Sequence, residues 1–332
     1  MNRRPDRPLQ RTTRRRFTTL DSLSTGVTAS AAKLEILLPM AQNSTTVFTR
    51  AMPALFVLLW ATGFIGAKFG LPYAPPLGFL SLRFALVIAL MTAIALATRA
   101  PWPRGVQLVH IAVAGILLQA GYLGGVFTGI DLGMGAGLSS LIVSLQPILT
   151  AIAGPLFGEP VNRRQWAGLV LGFSGVAMVV FHRINLGQVS GSSLALTILA
   201  LGAITAGTVY QKRFCGAQDL RTQSVVQFIA ALAVLLPLSL LFESRPVIWS
   251  GEFAFALGWL VLVLSLGATS LLLLLIRRGA ATTVSSLMYL VPAVTVIMAW
   301  LMFDETLTPL TIAGMGVALA GVALVVRPAR RA

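Results

Sequence analysis

The sequence predicts an all-α integral membrane protein whose ten transmembrane helices form two inverted five-helix repeats. The first observation is composition: the mean hydropathy is +0.85. Only 11% of the residues are charged, against about a quarter in a soluble domain. The second observation is a series of ten apolar runs of a length that can cross a bilayer. The third is a stretch of sequence that occurs twice.

Residues 1–50 differ from the rest of the chain, because arginines lie among Thr, Ser and Pro with little apolar periodicity. This composition is typical of a disordered segment, and we expect a basic cytoplasmic tail here. Translation from Met40, shortly before the first apolar run, is the alternative, and the sequence leaves both starts open.

The apolar runs are separated by short breaks that carry proline, glycine or charged residues, where helices are expected to end. Pro72, Pro75 and Pro76 form the first break, and residues 243–246 form a break in the second half. The runs cover approximately residues 52–70, 77–98, 106–129, 133–156, 164–182, 190–211, 222–242, 253–276, 281–303 and 308–326.

Lysine and arginine are distributed unequally between alternate breaks. With the N-terminus inside, the outer connections hold only Arg183 and Arg245. The inner connections hold Arg99, Arg104, Arg163, Arg164, Lys212, Arg213, Arg221, Arg277 and Arg278. Because basic residues mark cytoplasmic loops, we expect a multi-pass protein of the inner (cell) membrane with both termini in the cytoplasm.

The internal repeat pairs residues 138–180 with residues 284–326 at a constant shift of 146, and 13 of the 43 pairs are identical. The match continues upstream at a shift of 144 to 146, where Gly63 pairs with Gly207, Lys68 with Lys212, Arg83 with Gln227, and Gly121 with Gly267. Because each half has an odd number of spans, the halves are expected to have opposite orientations, as in many secondary transporters. The predicted domains are the tail at 1–50 and the repeats at 51–183 and 184–332.

Each half ends in a proline, an acidic corner and a glycine-rich last helix. The residues are Pro147, Gly158, Glu159 and Gly168, then Pro292, Asp304, Glu305 and Gly314, with the first-helix string LWATGF at 59–64. In these features the chain resembles the drug/metabolite transporter superfamily, EamA type. The resemblance implies a ten-helix carrier of a small metabolite, with a central cavity lined by helices 1, 3, 4, 6, 8 and 9. Asp304 replaces glycine in this pattern, so we expect a repositioned corner there.

Polar and aromatic side chains in the middle of a span are unfavourable in hydrocarbon and usually face a cavity. The predicted substrate-binding residues are Trp60, Gln119, Tyr122, Ser144, Gln146, Thr205, Tyr210, Met288 and Tyr289. Gln119 and Tyr122 are three residues apart and therefore share a helix face. A helix–helix hydrogen bond is the alternative for the glutamines, and an interfacial position is the alternative for Tyr210.

Charged residues near or inside the spans are candidates for a gate or for charge pairing. Arg83 lies well inside the second span, where it could reach outwards to the interface or pair with a carboxylate such as Asp131. Lys68 is expected to reach the interface, with a role at the substrate gate as the alternative. Glu159 and Glu305 are expected to cap the N-termini of the helices that follow them.

Glycines at four-residue spacing form two stripes that favour close helix packing: Gly121, Gly125 and Gly129 in the third span, and Gly168 and Gly172 in the fifth. Such stripes serve dimerisation equally well, so a monomer and a homodimer both stay open. The string GFSG at 172–175 resembles the serine motif of rhomboid-type intramembrane proteases. Its repeat copy, ALAG at 318–321, has no serine, so packing explains the glycines and a protease is a remote alternative.

The sequence excludes several other classes. The single Cys215 leaves no intrachain disulfide or thiolate cluster, and His110 and His182 are too few for a histidine-built metal site. The net charge of +15 follows the positive-inside pattern and does not indicate nucleic-acid binding. We therefore expect no cofactor, no metal and no catalytic residues.

The predicted function is a non-enzymatic carrier in the lipid bilayer. Its partner would be a small-molecule substrate, an amino acid or a similar metabolite, exported across the cytoplasmic membrane by alternating access. A non-transporting membrane protein, such as an assembly or sensory subunit, is the alternative, and so is a channel.

Overall fold

The computed structural model describes residues 52–153, 163–185, 187, 189–216, 218–268, 271, 288 and 290–326. Several predictions fall outside these residues. They concern the tail at 1–50, the corner with Gly158 and Glu159, the inner connection with Arg277 and Arg278, and the candidate binding residue Tyr289.

The regular elements in the described residues are helices, which we number α1 to α10. They are α1 (52–70, followed by the 3₁₀ turn Leu71–Tyr73), α2 (Pro76–Ala97), α3 (Val106–Asp131), α4 (Ala136–Ile152), α5 (Arg163–Asn185), α6 (Gly191–Phe214), α7 (Leu220–Phe242), α8 (Gly251–Ala268), α9 (Leu290–Phe303) and α10 (Pro309–Val326). Seven of these, α1 to α3 and α5 to α8, are long and apolar enough to cross a membrane. The other three are apolar but shorter within the described residues.

Helix α4 is interrupted at Ser144 and Leu145, which divide it into Ala136–Val143 and Gln146–Ile152. Pro147 explains the break, because a proline has no backbone N–H for the carbonyl four residues earlier and its ring clashes with that carbonyl. The predicted span did not include this interruption, although its proline was visible.

Helices α3 and α8 each contain a π-helical segment, Ile116–Gly121 in α3 and Trp259–Ala268 in α8. The two segments lie at corresponding positions of the internal repeat, since a shift of 146 carries residues 116–121 onto 262–267. A π-helical turn is rare and often lies at a functional site. Hydropathy contains no signal for it, so the sequence predicted two regular helices.

Glycine contacts hold α3 close to α6. A Cβ atom on Gly121 would lie 2.9 Å from Ala203 Cβ, and one on Gly125 would lie 2.8 Å from the Leu196 carbonyl oxygen. Gly129 makes a similar approach to the Thr197 hydroxyl. Helices α5 and α10 also meet through glycines, since a Cβ on Gly321 would lie 2.6 Å from the Gly168 carbonyl oxygen. A larger side chain at these positions would push the helices apart.

Equivalent parts of the two halves also make equivalent contacts. A Cβ atom on Gly63 of α1 would lie 3.1 Å from a methyl group of Leu264 in α8. At the paired position in α6, a Cβ on Gly207 would lie 2.7 Å from the side chain of Leu118 in α3. Residues 118 and 264 are themselves paired by the repeat. The α1–α8 contact and the α6–α3 contact therefore use residues that the sequence repeat pairs.

Candidate functional site

Charged residues from several connections meet at one end of the helices, which we call the Lys68 face. There α1, α3, α5, α7 and α9 end, and α2, α4, α8 and α10 begin. Lys68 Nζ lies 2.6 Å from Glu305 Oε1, and its ammonium group lies 4.9 Å from the centre of the Phe303 ring. The ion pair joins the last turn of α1 to the connection between α9 and α10.

Glu305 also caps the N-terminus of α4. Its carboxylate accepts hydrogen bonds from the backbone N–H groups of Ala136, at 2.7 Å, and Gly137, at 3.3 Å. A Cβ on Gly135 would lie 2.6 Å from Glu305 Oε2, so glycine leaves room for the carboxylate. The interaction is favourable because the N-terminus of a helix carries unpaired donors and partial positive charge.

The corner itself contains Asp304, the residue that departs from the glycine pattern. Asp304 has a φ of 51°, in the left-handed region that favours glycine. Aspartate tolerates this region better than most side chains. The backbone turn needed to aim Glu305 at α4 therefore forms without glycine.

A second ion pair crosses the same face. Arg245 Nη2, which follows α7, lies 2.8 Å from Asp131 Oδ1 at the end of α3. The same nitrogen donates to the carbonyl oxygens of Ala74 at 2.8 Å and Leu71 at 3.1 Å. Arg245 therefore ties the end of α1 to the end of α3.

Glu243 caps α2 in the way that Glu305 caps α4. Its two carboxylate oxygens accept from Leu77 N at 2.7 Å and Gly78 N at 2.8 Å. Ser239, one turn earlier in α7, donates its hydroxyl to Glu243 at 2.7 Å. Both caps join a carboxylate of the second half of the chain to a helix N-terminus of the first half.

Buried aromatic rings lie beneath the Lys68 face. The Phe79 ring centroid lies 5.6 Å from that of Phe127 and 5.1 Å from that of Phe253. All three side chains are almost fully buried. Such ring contacts pack densely, and of the three rings only Phe127 also lines a cavity among the helices.

A cavity of about 360 Å³ begins on the inner side of these rings. Its lining runs from Phe127 and Val126 past the middle of the helices to Gln211 near the end of α6 and Ser224 near the start of α7. It is thus built by α1, α2, α3, α6, α7 and α8, with Phe127 between it and Phe79. Its size is in the range typical of small-molecule sites.

Four of the predicted residues line this cavity: Trp60, Gln119, Tyr122 and Arg83. Arg83 is 5% exposed, and its Nη2 donates to Ser265 Oγ at 3.1 Å. Ser265 in turn donates to the Leu260 carbonyl oxygen at 2.9 Å, a contact within the π-helical segment. Gln119 and Ser265, which the repeat pairs, approach the cavity from the two π-helical segments.

Four other candidates are absent from the lining and have other contacts. Ser144 and Thr205 donate to backbone carbonyls of their own helices. Gln146 of α4 donates to Thr208 Oγ1 of α6 at 3.2 Å. This is the hydrogen bond between helices that the sequence offered as the alternative role for the glutamines. Tyr210 lies 2.9 Å from His110 Nδ1 and packs on Phe214.

Met288 lies in a turn before α9 and is absent from the lining. The resemblance implied a lining from helices 4 and 9, whereas the described residues of α4 and α9 do not contribute. Helices α2 and α7 contribute in their place.

The charge assignments also differ from the structure. Asp131 pairs with Arg245, so it is not the partner of Arg83. Lys68 pairs with Glu305 and does not simply reach the interface. Glu305 caps α4, whereas the sequence placed its cap on the next helix. Glu305 and Ala136 are 169 residues apart in the sequence, so a rule about capping by neighbouring residues does not predict this hydrogen bond.

The sequence did not identify Gln211, Gln223, Gln227 and Ser265 as lining residues. Gln227 had a usable signal, since the repeat pairs it with Arg83. It lies 6% exposed and donates to Gln211 Oε1 at 2.7 Å.

The opposite end of the helices, which we call the Asp219 face, carries another capped terminus. Asp219 precedes α7, and its Oδ1 accepts from Arg221 N at 3.0 Å. Arg221 Nη2 lies 2.6 Å from Asp219 Oδ2. The side-chain hydrogen bond from Arg221 lowers the pKa of the Asp219 carboxyl group.

The sequence pattern of the EamA-like transporter family matches residues 51–181 and again residues 191–327. The chain belongs to this family. Its resemblance to the drug/metabolite transporters is therefore confirmed, and the protein is a membrane transporter. In this EamA-like transporter, the first matched segment ends within α5 and the second begins at the start of α6.

Curated relatives of this EamA-like transporter cover most of its length. A protein of Salmonella typhimurium named "Probable amino-acid metabolite efflux pump" is 29% identical over 279 residues, 80% of this chain and 91% of the relative. The Escherichia coli "Uncharacterized inner membrane transporter YedA" is 25% identical over 82% of this chain and 89% of its own. A Bacillus subtilis "Uncharacterized transporter YvbV" is 28% identical over 83% and 91%.

A solved crystal structure shares the fold. It matches with a TM-score of 0.57 and 20% sequence identity, and the match covers 82% of this chain and 94% of that chain. The helical architecture of the EamA-like transporter is therefore one that a second, distant sequence adopts.

Proposed function

We propose that this EamA-like transporter is a carrier that exports a small organic metabolite, an amino acid or a molecule of similar size, by alternating access. The observation that carries the proposal is the cavity, which passes the middle of the helices and stops at the Phe79–Phe127 contact. Beyond that contact lie the Lys68–Glu305 and Arg245–Asp131 ion pairs. A site accessible from one end at a time is what alternating access requires.

The proposed topology is two inverted five-helix repeats, with α1 to α5 in the first and α6 to α10 in the second. The family pattern supports it by matching twice. The paired contacts Gly63–Leu264 and Gly207–Leu118 support it further. Inverted repeats provide two similar gates, one at each end of the site, so that rocking one half against the other exchanges them.

The proposed orientation places the Asp219 face in the cytoplasm. This face carries Lys212, Arg213 and Arg221, and cytoplasmic loops are rich in such residues. The structure then corresponds to a state closed towards the outside, with the cavity reaching towards the cytoplasm. The substrate size and the export direction are supported by the cavity volume and by the name of the Salmonella relative.

Counterflow in proteoliposomes tests the carrier. Vesicles loaded with an unlabelled amino acid or related metabolite should accumulate the labelled compound transiently, with saturation, because a carrier exchanges solute across its gates. A channel would equilibrate the label without overshoot. A non-transporting subunit would give the same signal as empty vesicles.

Two variants sharpen this experiment. Trp60→Ala should reduce counterflow at equal protein abundance, since Trp60 lines the cavity. Trp166→Ala is the matched control, because Trp166 of α5 is 52% exposed and absent from the lining. Unchanged kinetics in Trp60→Ala would remove Trp60 from the proposed site.

A further inference from the structure

Arg83 is a buried cation at the cavity wall. It lies eight residues into α2, with 5% of its surface exposed. Its Nη2 donates to Ser265 Oγ, and its Nε is buried without a hydrogen-bond partner among the described residues. A guanidinium group carries five N–H donors, so the neutral Ser265 hydroxyl leaves most of its hydrogen-bonding capacity unused.

An unpaired charge inside the hydrocarbon region is strongly unfavourable and usually marks a functional site. Three carboxylates at the Lys68 face have other partners. Asp131 pairs with Arg245, and Glu305 pairs with Lys68 and caps α4. Glu243 caps α2. These three carboxylates are therefore paired elsewhere, and the hydrogen-bond partner that the described residues give the Arg83 guanidinium group is the neutral Ser265 hydroxyl.

The polar groups around Arg83 are neutral. Gln119, Tyr122, Gln223 and Gln227 line the cavity, and no aspartate or glutamate among the described residues does so. The apolar part of the wall includes Trp60, Phe64 and Phe228. The cavity therefore offers one fixed positive charge, several amide and hydroxyl groups, and aromatic surface.

We infer that the molecule bound in this cavity is an organic monoanion whose carboxylate is the counter-charge of Arg83. The inference rests on the proposed carrier function and narrows its substrate class. A guanidinium group binds a carboxylate through parallel N–H···O bonds, and Nε together with an Nη nitrogen is a suitable donor pair. The rest of the ligand would be neutral, because the cavity holds no described carboxylate for an ammonium group.

Amino acids and the corresponding 2-hydroxy acids distinguish a zwitterionic ligand from a monoanionic one. A zwitterion could place its carboxylate on Arg83, but its ammonium group would find only amide, hydroxyl and aromatic acceptors in the described lining. The corresponding 2-hydroxy acid has the same skeleton and lacks that second charge. The EamA-like transporter should therefore bind 2-hydroxy or 2-oxo acids more tightly than the amino acids of the same skeleton.

Ligand binding to the purified protein tests this inference directly. The probes are matched sets on three-carbon, branched and aromatic skeletons: lactate, 2-hydroxyisocaproate and 3-phenyllactate, with the corresponding amino acids and 2-hydroxy amides. At millimolar concentrations at least one hydroxy acid should raise the thermal midpoint, since a ligand of the folded state stabilises it. Its amino acid and amide should bind about 10- to 100-fold more weakly, the factor expected for a charge-assisted hydrogen bond.

Arg83 variants assign the selectivity to this side chain. Arg83→Gln should reduce the acid-to-amide affinity ratio about 10-fold or more, while Arg83→Lys should retain a preference for the acid. The acid-to-amide affinity ratio separates charge recognition from a general loss of folding, because a loss of folding would weaken the binding of both ligands equally. Should Arg83→Gln fail to fold, Arg83→Lys still decides, because a guanidinium-to-ammonium change should weaken acid binding and spare amide binding.

The outcomes separate this inference from the carrier proposal. Stabilisation by amino acids or amides with no preference for the acids overturns the anion assignment, while saturable counterflow of those compounds leaves the carrier intact. Failure of every acid to stabilise the protein also overturns the assignment. Acid binding without counterflow supports the site and overturns the carrier.

Discussion

Lys68 Nζ and Glu305 Oε1 lie 2.6 Å apart although 237 residues separate them in the sequence. The same carboxylate caps α4, so one side chain links α1, α4 and the corner before α10. The Glu305 side chain is 11% exposed, which places the pair in a partly dehydrated setting. Breaking such a pair leaves a charge without its partner, and this costs more than losing a surface salt bridge.

We predict that Glu305→Gln opens the Lys68 face. The neutral amide loses the attraction to Lys68 and weakens the α4 cap. A cysteine introduced at Leu123, a cavity residue, in a Cys215→Ser background reports access from that face. Membrane-impermeant maleimide added to intact cells should label this cysteine several-fold faster in the variant.

Glu252→Gln is the matched control for the gate experiment. Glu252 lies at the start of α8 on the same face, is exposed, and takes no part in the Lys68 network. It should leave the labelling rate unchanged. Equal rates in Glu305→Gln and the parent protein would show that the ion pair does not hold this face closed.

The packing of α5 on α10 yields a second prediction. Gly321→Ala should lower stability by about 1–3 kcal/mol, the usual cost of overpacking, because its Cβ would meet the backbone of α5 near the Gly168 carbonyl oxygen. For Gly316→Ala on the same helix, no atom of the described residues lies within 4 Å of the added Cβ. Thermal unfolding in detergent should therefore show a lower midpoint for Gly321→Ala alone, and similar midpoints would refute close packing at Gly321.

The sequence predicted the helices well because each depends on local hydropathy and on prolines. Helix α1 covers the predicted 52–70, and α2 and α7 begin and end within two residues of the predicted runs. The predicted end of the eighth run and start of the ninth lie outside the described residues. Trp60, Gln119 and Tyr122 were found by the same rule, since polar atoms in a span tend to face a cavity.

What the sequence missed depends on contacts between distant helices. Ser144 and Thr205, which the same rule selected, donate to backbone carbonyls of their own helices and are absent from the lining of this cavity. The partners of Lys68 and Asp131 follow from how α1, α3, α7 and the α9–α10 corner meet. The spacing of residues within one helix does not predict these contacts between distant helices.

Asp219 gives a pH-dependent prediction outside the membrane-spanning segments. Its hydrogen bond from Arg221 lowers the folded-state pKa of its carboxyl group. The stabilisation should thus be complete above the ordinary carboxyl pKa of about 3.9 and should be lost as the pH falls through the lower folded-state value. Thermal midpoints measured from about pH 7 to about pH 3 should show the wild type converging on Asp219→Ala.

At neutral pH, Asp219→Ala should lower stability by about 0.5–2 kcal/mol, the usual effect of losing an N-cap. The low end is expected because Asp219 is only partly buried and its partner Arg221 is exposed. Asp219→Asn is the control, since asparagine keeps a cap acceptor and has no carboxyl group to protonate. A difference between wild type and Asp219→Ala that stays constant over this pH range would contradict the role of the charged carboxylate.

The proposed inverted repeat yields the last prediction, which concerns the ends of α5 and α6. Arg183 lies near the end of α5 at the Lys68 face, and Arg213 lies near the end of α6 at the Asp219 face. A reporter inserted after Arg183 should therefore be extracytoplasmic, and one inserted after Arg213 should be cytoplasmic, where basic residues are enriched. The two reporters also test the opposite orientation of the halves, because that orientation requires an odd number of membrane spans in each half. Reporters on the same side would sink the inverted arrangement, and with it the assignment of Lys68–Glu305 to an outer gate.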